Sequence, residues 1–346
     1  MPSDHAHPLK LLGSPGSPYS RKLRAVLRFR RLPHRWTLRG SKDEGEVPEL
    51  RVRLMPVLVF PGPEGRYDEA AVDSTPLIRR LEREHAGRSV IPPDPVLAFL
   101  DALLEDYADE WLTKCMFHYR WAFPADVAFA GSVLPRWGAI DKSEAEIAMR
   151  SKLVSERQIG RLAVVGSNPT TARVIEESYR RLLHRLDARL TESTFVFGQR
   201  PAASDFGLYG QLTQLVQLDP IPMALARDET PRIVAWIEQV EDLSGLGVDE
   251  ADWIARSPFP DSLRALFCEV GRVYAPFLLA NARALETGAA HVECEIDGKP
   301  WVQRPFPYQG KCLATLRAEH SKLTADEHSA VDALLAGTGC EVLFAG

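Results

Sequence analysis

The sequence predicts a small α/β domain, then an all-α domain, and finally an α+β segment. Strand, turn and helix patterns alternate over the first 80 or so residues, helical spacing dominates the middle, and a hairpin pattern appears near the end. At roughly 150 residues per domain, 346 residues correspond to two or three domains. We place the domains at residues 8–87, 95–246 and 247–346.

Composition excludes several classes of function. The chain carries 42 Lys+Arg and 47 Asp+Glu, so no basic excess is available to neutralise a nucleic acid. Its five cysteines are scattered without a Cys-x-x-Cys pair, which predicts reduced thiols and no metal site. No signal-peptide pattern or membrane-length apolar run is present. We therefore expect a soluble, cytoplasmic protein without a nucleic-acid or membrane partner.

The α/β domain is predicted to have the order βαβ–ββα. A strand at 9–12 leads through the turn at 13–16 into a helix over 18–31, and Pro33 separates that helix from a strand at 35–38. A third strand at 55–60 is followed by a turn at 62–65 and then a fourth strand. Asp73 is predicted to cap the last helix, which should end before Gly87.

The remaining chain follows different patterns. A linker at 88–95 contains three prolines, and helical spacing then continues to about residue 245. The last hundred residues predict a long helix at 261–285, a hairpin turning at Asp297-Gly298, a helix capped by Thr324, and a final strand at 340–344. We expect residues 247–346 to pack on the helical domain because their large apolar side chains need a partner surface.

Four motifs occur in an order that resembles the glutathione transferase superfamily. They are Ser-Pro-Gly-Ser-Pro-Tyr-Ser at 14–20, Met55-Pro56, Asp73-Ser74 at a helix start, and residues 195–201 with Asp205. The resemblance covers residues 8 to 245 and leaves out the last hundred. It implies a thioredoxin-like domain that binds glutathione, a helical domain that binds a second substrate, and a possible homodimer.

The resemblance implies that Ser17 is the catalytic residue. In serine-type members the matching hydroxyl donates a hydrogen bond to the glutathione sulfur. A free thiol has a pKa of about 8.5, and a hydroxyl donor at a helix N-terminus favours its thiolate. Ser14 and Ser20 remain alternatives, with Tyr19 behind them. No cysteine lies near this turn, which disfavours the cysteine-type chemistry of some relatives.

The resemblance also assigns the binding residues. A cis peptide before Pro56 would free the Met55 backbone to pair with the cysteinyl part of glutathione, and Asp73 and Ser74 would bind its γ-glutamyl ammonium and carboxylate. The sequence does not choose a partner for the glycyl carboxylate among four basic residues: Arg39, Lys42, Arg51 and Arg53.

A stripe of Tyr107, Trp111 and His118 is predicted to wall the second-substrate pocket, although an ordinary core stripe explains the spacing equally well. One departure from the family pattern is Ala202, where Ser or Thr usually stands three residues before Asp205.

Together these features predict a metal-free enzyme that conjugates glutathione to a small hydrophobic electrophile. The alternatives are glutathione-dependent isomerisation, peroxide reduction, or a non-catalytic binding or assembly module.

Overall fold

A four-stranded sheet of order β2-β1-β3-β4 organises the N-terminal domain in this computed structural model, which describes residues 7–52 and 54–345. Strand β1 pairs in parallel with β2 and antiparallel with β3, and β3 pairs antiparallel with β4. The elements are β1 Leu9–Gly13, α1 Pro18–Phe29, β2 His34–Leu38, β3 Val57–Pro61, β4 Tyr67–Val72 and α2 Ser74–Glu84. The predicted thioredoxin-like order is confirmed.

Helix α1 forms where the sequence predicts it, because its N-terminal capping residues and its apolar face both favour a helix at this position. Ser17 is the N-cap, its side chain accepts a hydrogen bond from the Ser20 N–H, and Pro18 follows at the first turn. Leu23, Val26 and Leu27 lie on one face and are fully buried. The helix ends two residues earlier than expected, at Phe29.

The helical domain surrounds α8, which is buried along almost its whole length and packs against α1 and α3. Its helices are α3 Pro95–Glu110, α4 Leu112–Ala122, α5 Pro124–Val133, α6 Glu144–Ile159, α7 Ala172–Glu192, α8 Ala203–Gln217, α9 Pro220–Glu229 and α10 Pro231–Val240. At the start of α8, the Asp205 carboxylate accepts the N–H groups of Val196 and Ala202, each at 2.9 Å. Asp205 therefore holds this turn without a hydroxyl at position 202.

The C-terminal segment is a long helix followed by a hairpin and two shorter helices. Its elements are α11 Asp261–Glu269, the π-helical turn Val270–Tyr274, α12 Ala275–Thr287, β5 Val292–Ile296, β6 Lys299–Gln303, α13 Pro307–His320 and α14 Ala325–Leu335. Asp297 and Gly298 both have positive φ, as the two-residue hairpin turn requires.

The predicted final strand is wrong. Glu341–Leu343 forms a short 3-10 helix instead. The backbone N–H groups of Phe344 and Ala345 both bond to the Glu341 carbonyl, each at 3.2 Å, so this stretch satisfies its hydrogen bonds locally rather than in a sheet.

The C-terminal segment shares a core with helices α3 and α4. Trp111 lies 5.3 Å from Trp301 between ring centroids, and Tyr107 lies 6.0 Å from Tyr274. Trp301 is 1% exposed. None of the helices in the described ranges is both long and apolar enough to cross a membrane.

Candidate functional site

The sheet register brings three loops to one edge of the N-terminal domain. Leu12 lies opposite Val57, and Val57 lies opposite Val72. The turn after β1, the Met55-Pro56 segment before β3 and the Asp73-Ser74 step after β4 therefore adjoin one another. This places the predicted catalytic residue and the predicted binding residues around one corner.

Ser17 sits in this corner at the N-terminus of α1, half-buried. Its Oγ accepts from the Ser20 N–H at 3.3 Å. A hydroxyl has one donor and two acceptor positions, so the Ser17 proton is still available to a ligand. Partial positive charge at the helix N-terminus adds to the attraction for an anion.

The alternatives to Ser17 differ in burial and in hydrogen bonding. Ser20 is fully buried and its Oγ accepts from the Ser14 N–H at 3.3 Å, while the Ser14 Oγ accepts from the Gly16 N–H at 3.4 Å. Tyr19 donates to the Asp109 carbonyl at 2.9 Å, and burial raises its pKa well above the ordinary value. Burial disfavours Ser20 and the interdomain hydrogen bond disfavours Tyr19, whereas Ser14, whose hydroxyl likewise only accepts, stays an alternative to Ser17.

The peptide between Met55 and Pro56 is cis. Pro56 is buried, whereas Met55 is 40% exposed. Met55 lies before β3 begins, so its backbone groups are outside the sheet ladder. The Met55 backbone therefore lies beside the Ser17 corner without strand partners.

Asp73 occupies the predicted N-cap position of α2, but, contrary to expectation, its side chain does not cap the helix. Its backbone has φ 78, and its side chain makes no capping hydrogen bond. The carboxylate instead accepts the hydroxyl of Tyr308, from the C-terminal segment, at 2.7 Å. Ser74 opens α2 and is 2% exposed.

A buried polar network lies directly behind Ser74 and joins the two domains. Lys22 Nζ lies 2.5 Å from Asp109 Oδ2 and 2.7 Å from Glu105 Oε1, and the Thr75 hydroxyl donates to Asp109 at 2.9 Å. Burial alone would lower the pKa of Lys22, but the Asp109 and Glu105 carboxylates raise it. Lys22 is therefore a charged anchor that fixes α1 and α2 on α3.

A second interdomain contact, missed from the sequence, holds the turn beside Ser17. Arg120 on α4 donates to the Gly16 carbonyl at 3.1 Å and to Gln214 Oε1 at 2.8 Å. Gln214 in turn donates to the Pro15 carbonyl at 3.1 Å. Arg120 lies among aromatic residues and a histidine at 117–121, and its sequence spacing does not predict a contact with Gly16.

Trp137 is another residue that the sequence did not identify. It follows the short 3-10 helix Leu134–Arg136, and its ring packs so closely on Gly16 that a Cβ there would overlap it. The next residue, Gly138, lies near the Arg39 carbonyl. A half-buried indole thus borders the Ser17 corner on the side of the helical domain.

The structure does not place the predicted pocket stripe at a cavity wall. Tyr107 and Trp111 are fully buried, and the Trp111 indole donates to Ser178 at 3.0 Å. His118 is 3% exposed, with its ring nitrogens 2.8 Å from Ser167 Oγ and 3.2 Å from Glu176 Oε1. The C-terminal segment covers Tyr107 and Trp111, so both rings lie in a core rather than at an open wall.

Of the basic candidates for the glycyl carboxylate, Arg39 is joined to the corner, because its N–H donates to the Gly13 carbonyl at 2.9 Å. Its guanidinium pairs with Glu44 at 2.5 Å. Lys42 and Arg51 are exposed, and Arg53 lies outside the described residues. In the described ranges no group of His, Cys, Asp and Glu side chains is arranged to hold a metal ion.

The fold consists of a thioredoxin-like domain followed by a helical domain. Residues 11–89 match the family model for the glutathione S-transferase N-terminal domain. Residues 11–89 are thus a domain of the glutathione S-transferase N-terminal type, and the resemblance seen in the sequence is confirmed for this part of the chain.

Solved structures are similar only at a low level. A glutathione S-transferase from Methylobacterium radiotolerans, in complex with glutathione sulfonate, is 16% identical with a TM-score of 0.40, over 67% of this chain and 90% of that one. A GST-like protein from Pseudomonas syringae is 18% identical with a TM-score of 0.40, over 73% of this chain and 77% of that one. A glutathione transferase family member from Pseudomonas fluorescens, with two glutathione bound, is 14% identical with a TM-score of 0.37, over 77% of this chain and 95% of that one. No curated protein matches the chain.

Proposed function

We propose that this protein binds glutathione at the corner formed by Ser17, Met55 and Asp73-Ser74, and transfers its thiolate to a small hydrophobic electrophile. The observation that carries the proposal is the Ser17 hydroxyl, whose proton is uncommitted at the N-terminus of α1 and adjoins the other two loops. A donor in that position favours S⁻ over SH.

The reaction would proceed by nucleophilic attack. The glutathione thiol loses its proton to solvent, and Ser17 donates a hydrogen bond to the resulting thiolate. The sulfur forms a bond to an electrophilic carbon while the leaving group departs with its electron pair. Trp137, beside Gly16, supplies an apolar aromatic surface for that electrophile in place of the buried stripe on α3 and α4.

Binding would use the remaining loops in the roles that the family resemblance implies. The Met55 backbone would pair with the cysteinyl unit, Ser74 and the α2 N-terminus would bind the γ-glutamyl carboxylate, and Asp73 would face its ammonium group. The Lys22 network behind Ser74 fixes the relative position of α1 and α2, so the two ends of the ligand would meet preformed partners.

Calorimetric titration of the full chain with glutathione tests the proposal. We expect saturable binding in the micromolar to millimolar range and weaker binding to a Ser74→Ala variant. If the unaltered protein does not bind glutathione even at millimolar concentration, the proposal fails. The result would then favour the alternative of a non-catalytic binding or assembly module that does not use glutathione.

Product analysis separates the enzymatic alternatives. With glutathione and an aromatic electrophile that carries a halide leaving group, conjugation yields an adduct and free halide, detectable by mass spectrometry and ion analysis. Isomerisation would regenerate glutathione unchanged, and peroxide reduction would yield glutathione disulfide. Ser329→Ala, an exposed serine on α14, is the matched control for substitutions at the corner.

A further inference from the structure

The C-terminal segment contributes a side chain to the candidate glutathione site. The Tyr308 hydroxyl donates a 2.7 Å hydrogen bond to Asp73 Oδ2, although Tyr308 lies outside the two domains that the family resemblance covers. Asp73 makes no ion pair with any cation in the described ranges. The carboxylate therefore has a neutral partner and keeps acceptor capacity for a cation.

Tyr308 is held in place on both sides along the chain. Two residues before Tyr308, the backbone of Phe306 exchanges two hydrogen bonds with the Asn281 side chain, at 2.8 and 3.1 Å. The residue after Tyr308, Gln309, is 3% exposed and donates to Glu110 Oε2 at 3.1 Å. Asn281 is fully buried. The start of α13 is thus fixed against α12 and α3, while Tyr308 itself remains 39% exposed.

The hydroxyl chemistry suits an ammonium ligand. Burial and the Asp73 carboxylate raise the pKa of Tyr308, so its hydroxyl stays protonated and donates to Asp73. A phenol that donates its proton still has lone pairs that accept hydrogen bonds. An ammonium has three donors, enough to bond to the Tyr308 oxygen and to an Asp73 oxygen at the same time.

We infer that Tyr308 and Asp73 together form the subsite for the γ-glutamyl ammonium of glutathione, so that the C-terminal segment completes the binding site. This inference rests on the proposed function. It makes Tyr308 a binding residue with a specific preference: it recognises the amino group of the ligand and has no part in recognising the thiol. A tyrosine that merely covered the site would instead compete with the ligand for Asp73.

A comparison of two ligands tests the inference. Glutathione and its analogue without the γ-glutamyl amino group are titrated calorimetrically into the full chain and into Tyr308→Phe. We expect the variant to bind glutathione about three- to tenfold more weakly, as for one lost hydrogen bond, with the affinity for the deamino analogue unchanged. Asp73→Asn and the double variant complete a mutant cycle. The effects of the two substitutions on affinity should be non-additive for glutathione and additive for the deamino analogue.

Tyr67→Phe is the matched control because the Tyr67 hydroxyl also donates a 2.7 Å hydrogen bond, to the Pro8 carbonyl, in the same domain as Asp73. Its ligand preference should equal that of the unaltered chain. Equal losses for both ligands, no loss, or tighter binding of glutathione by Tyr308→Phe would overturn the inference while leaving the proposed function intact. Failure of the unaltered chain to bind glutathione at all would overturn both.

Discussion

Arg120 and Asp219 form a buried ion pair, with Arg120 Nε 2.8 and 3.1 Å from the two carboxylate oxygens of Asp219. The same guanidinium donates to the carbonyl of Gly16, next to Ser17. Because Asp219 fixes the arginine and the arginine fixes the turn, a pair inside the helical domain determines where the candidate catalytic hydroxyl lies.

Asp219→Asn should destabilise the protein and disturb the corner. It leaves the Arg120 charge uncompensated in the interior, which typically costs about 3–5 kcal/mol. Chemical denaturation measures the loss of unfolding free energy, and glutathione-dependent turnover should fall with it. Glu319→Gln breaks the exposed Lys322–Glu319 pair and should cost under about 1 kcal/mol. Equal effects of the two substitutions would contradict this account.

Ser17→Ala should impair thiolate formation more than glutathione affinity. The substitution removes the hydrogen bond that favours S⁻, so the pKa of bound glutathione should rise toward about 8.5. Thiolate absorbance of the complex as a function of pH gives the midpoint. Ser17→Thr keeps both the hydroxyl and the helix cap and should retain a lowered midpoint. If the alanine variant titrates as the unaltered protein does, Ser17 has no role in thiol activation.

Ser74→Ala should weaken glutathione binding by about 1–2 kcal/mol, as expected for a hydrogen bond to a charged carboxylate. The titration described above measures it, with Ser329→Ala as the control. The loss should appear with S-alkylated glutathione as well, because the partner proposed for Ser74 is the γ-glutamyl end. A loss confined to the free thiol form would place Ser74 elsewhere in the site.

Glu110→Gln should change how stability depends on pH. Burial, then Asp106 and Asp109, raise the pKa of Glu110 from 4.5 to about 8. Between these values the folded state holds a proton that the unfolded state has lost, so unfolding free energy falls as pH rises. The glutamine side chain of the variant does not titrate, so the variant does not lose stability in this way. Its unfolding free energy, relative to that of the unaltered chain, should therefore increase by on the order of 2 kcal/mol between pH 5 and pH 7.

Other groups near Glu110 contribute little to this difference between pH 5 and 7. Gln309 does not titrate. Burial lowers the pKa of Lys114 to about 7, so Lys114 changes the unfolding free energy mainly above pH 7, where it raises that free energy as pH rises. The raised pKa of Asp106, about 7, affects both proteins and largely cancels in their difference. Denaturation of Glu286→Gln, an exposed carboxylate on α12, should show no such relative gain. A parallel response of the two variants would exclude the assignment to Glu110.

The features that the sequence predicts correctly are local. Ser17 before Pro18, Asp297 before Gly298, and Thr324 three residues before Glu327 each specify a cap or turn through neighbouring backbone groups. Hydrophobic spacing then orients the helices that follow. Such signals need no knowledge of distant residues.

The features that the sequence does not predict depend on distant partners. Asp73 has the pattern of a cap, but a hydroxyl 235 residues later binds its carboxylate. Tyr107 and Trp111 have the polarity expected at a pocket, yet Tyr274 and Trp301 cover them. Trp137 follows an irregular turn without any periodic pattern. Tertiary contact alone determines these roles.

The hydrogen bond between Tyr308 and Asp73 has a consequence for synthesis of the protein. Domains generally fold as units during translation, with the N-terminal one first. Asp73 leaves the ribosome long before Tyr308, so the newly made N-terminal domain can fold while its Asp73 carboxylate still lacks this partner. That carboxylate acquires its Tyr308 partner only after 235 further residues have been made.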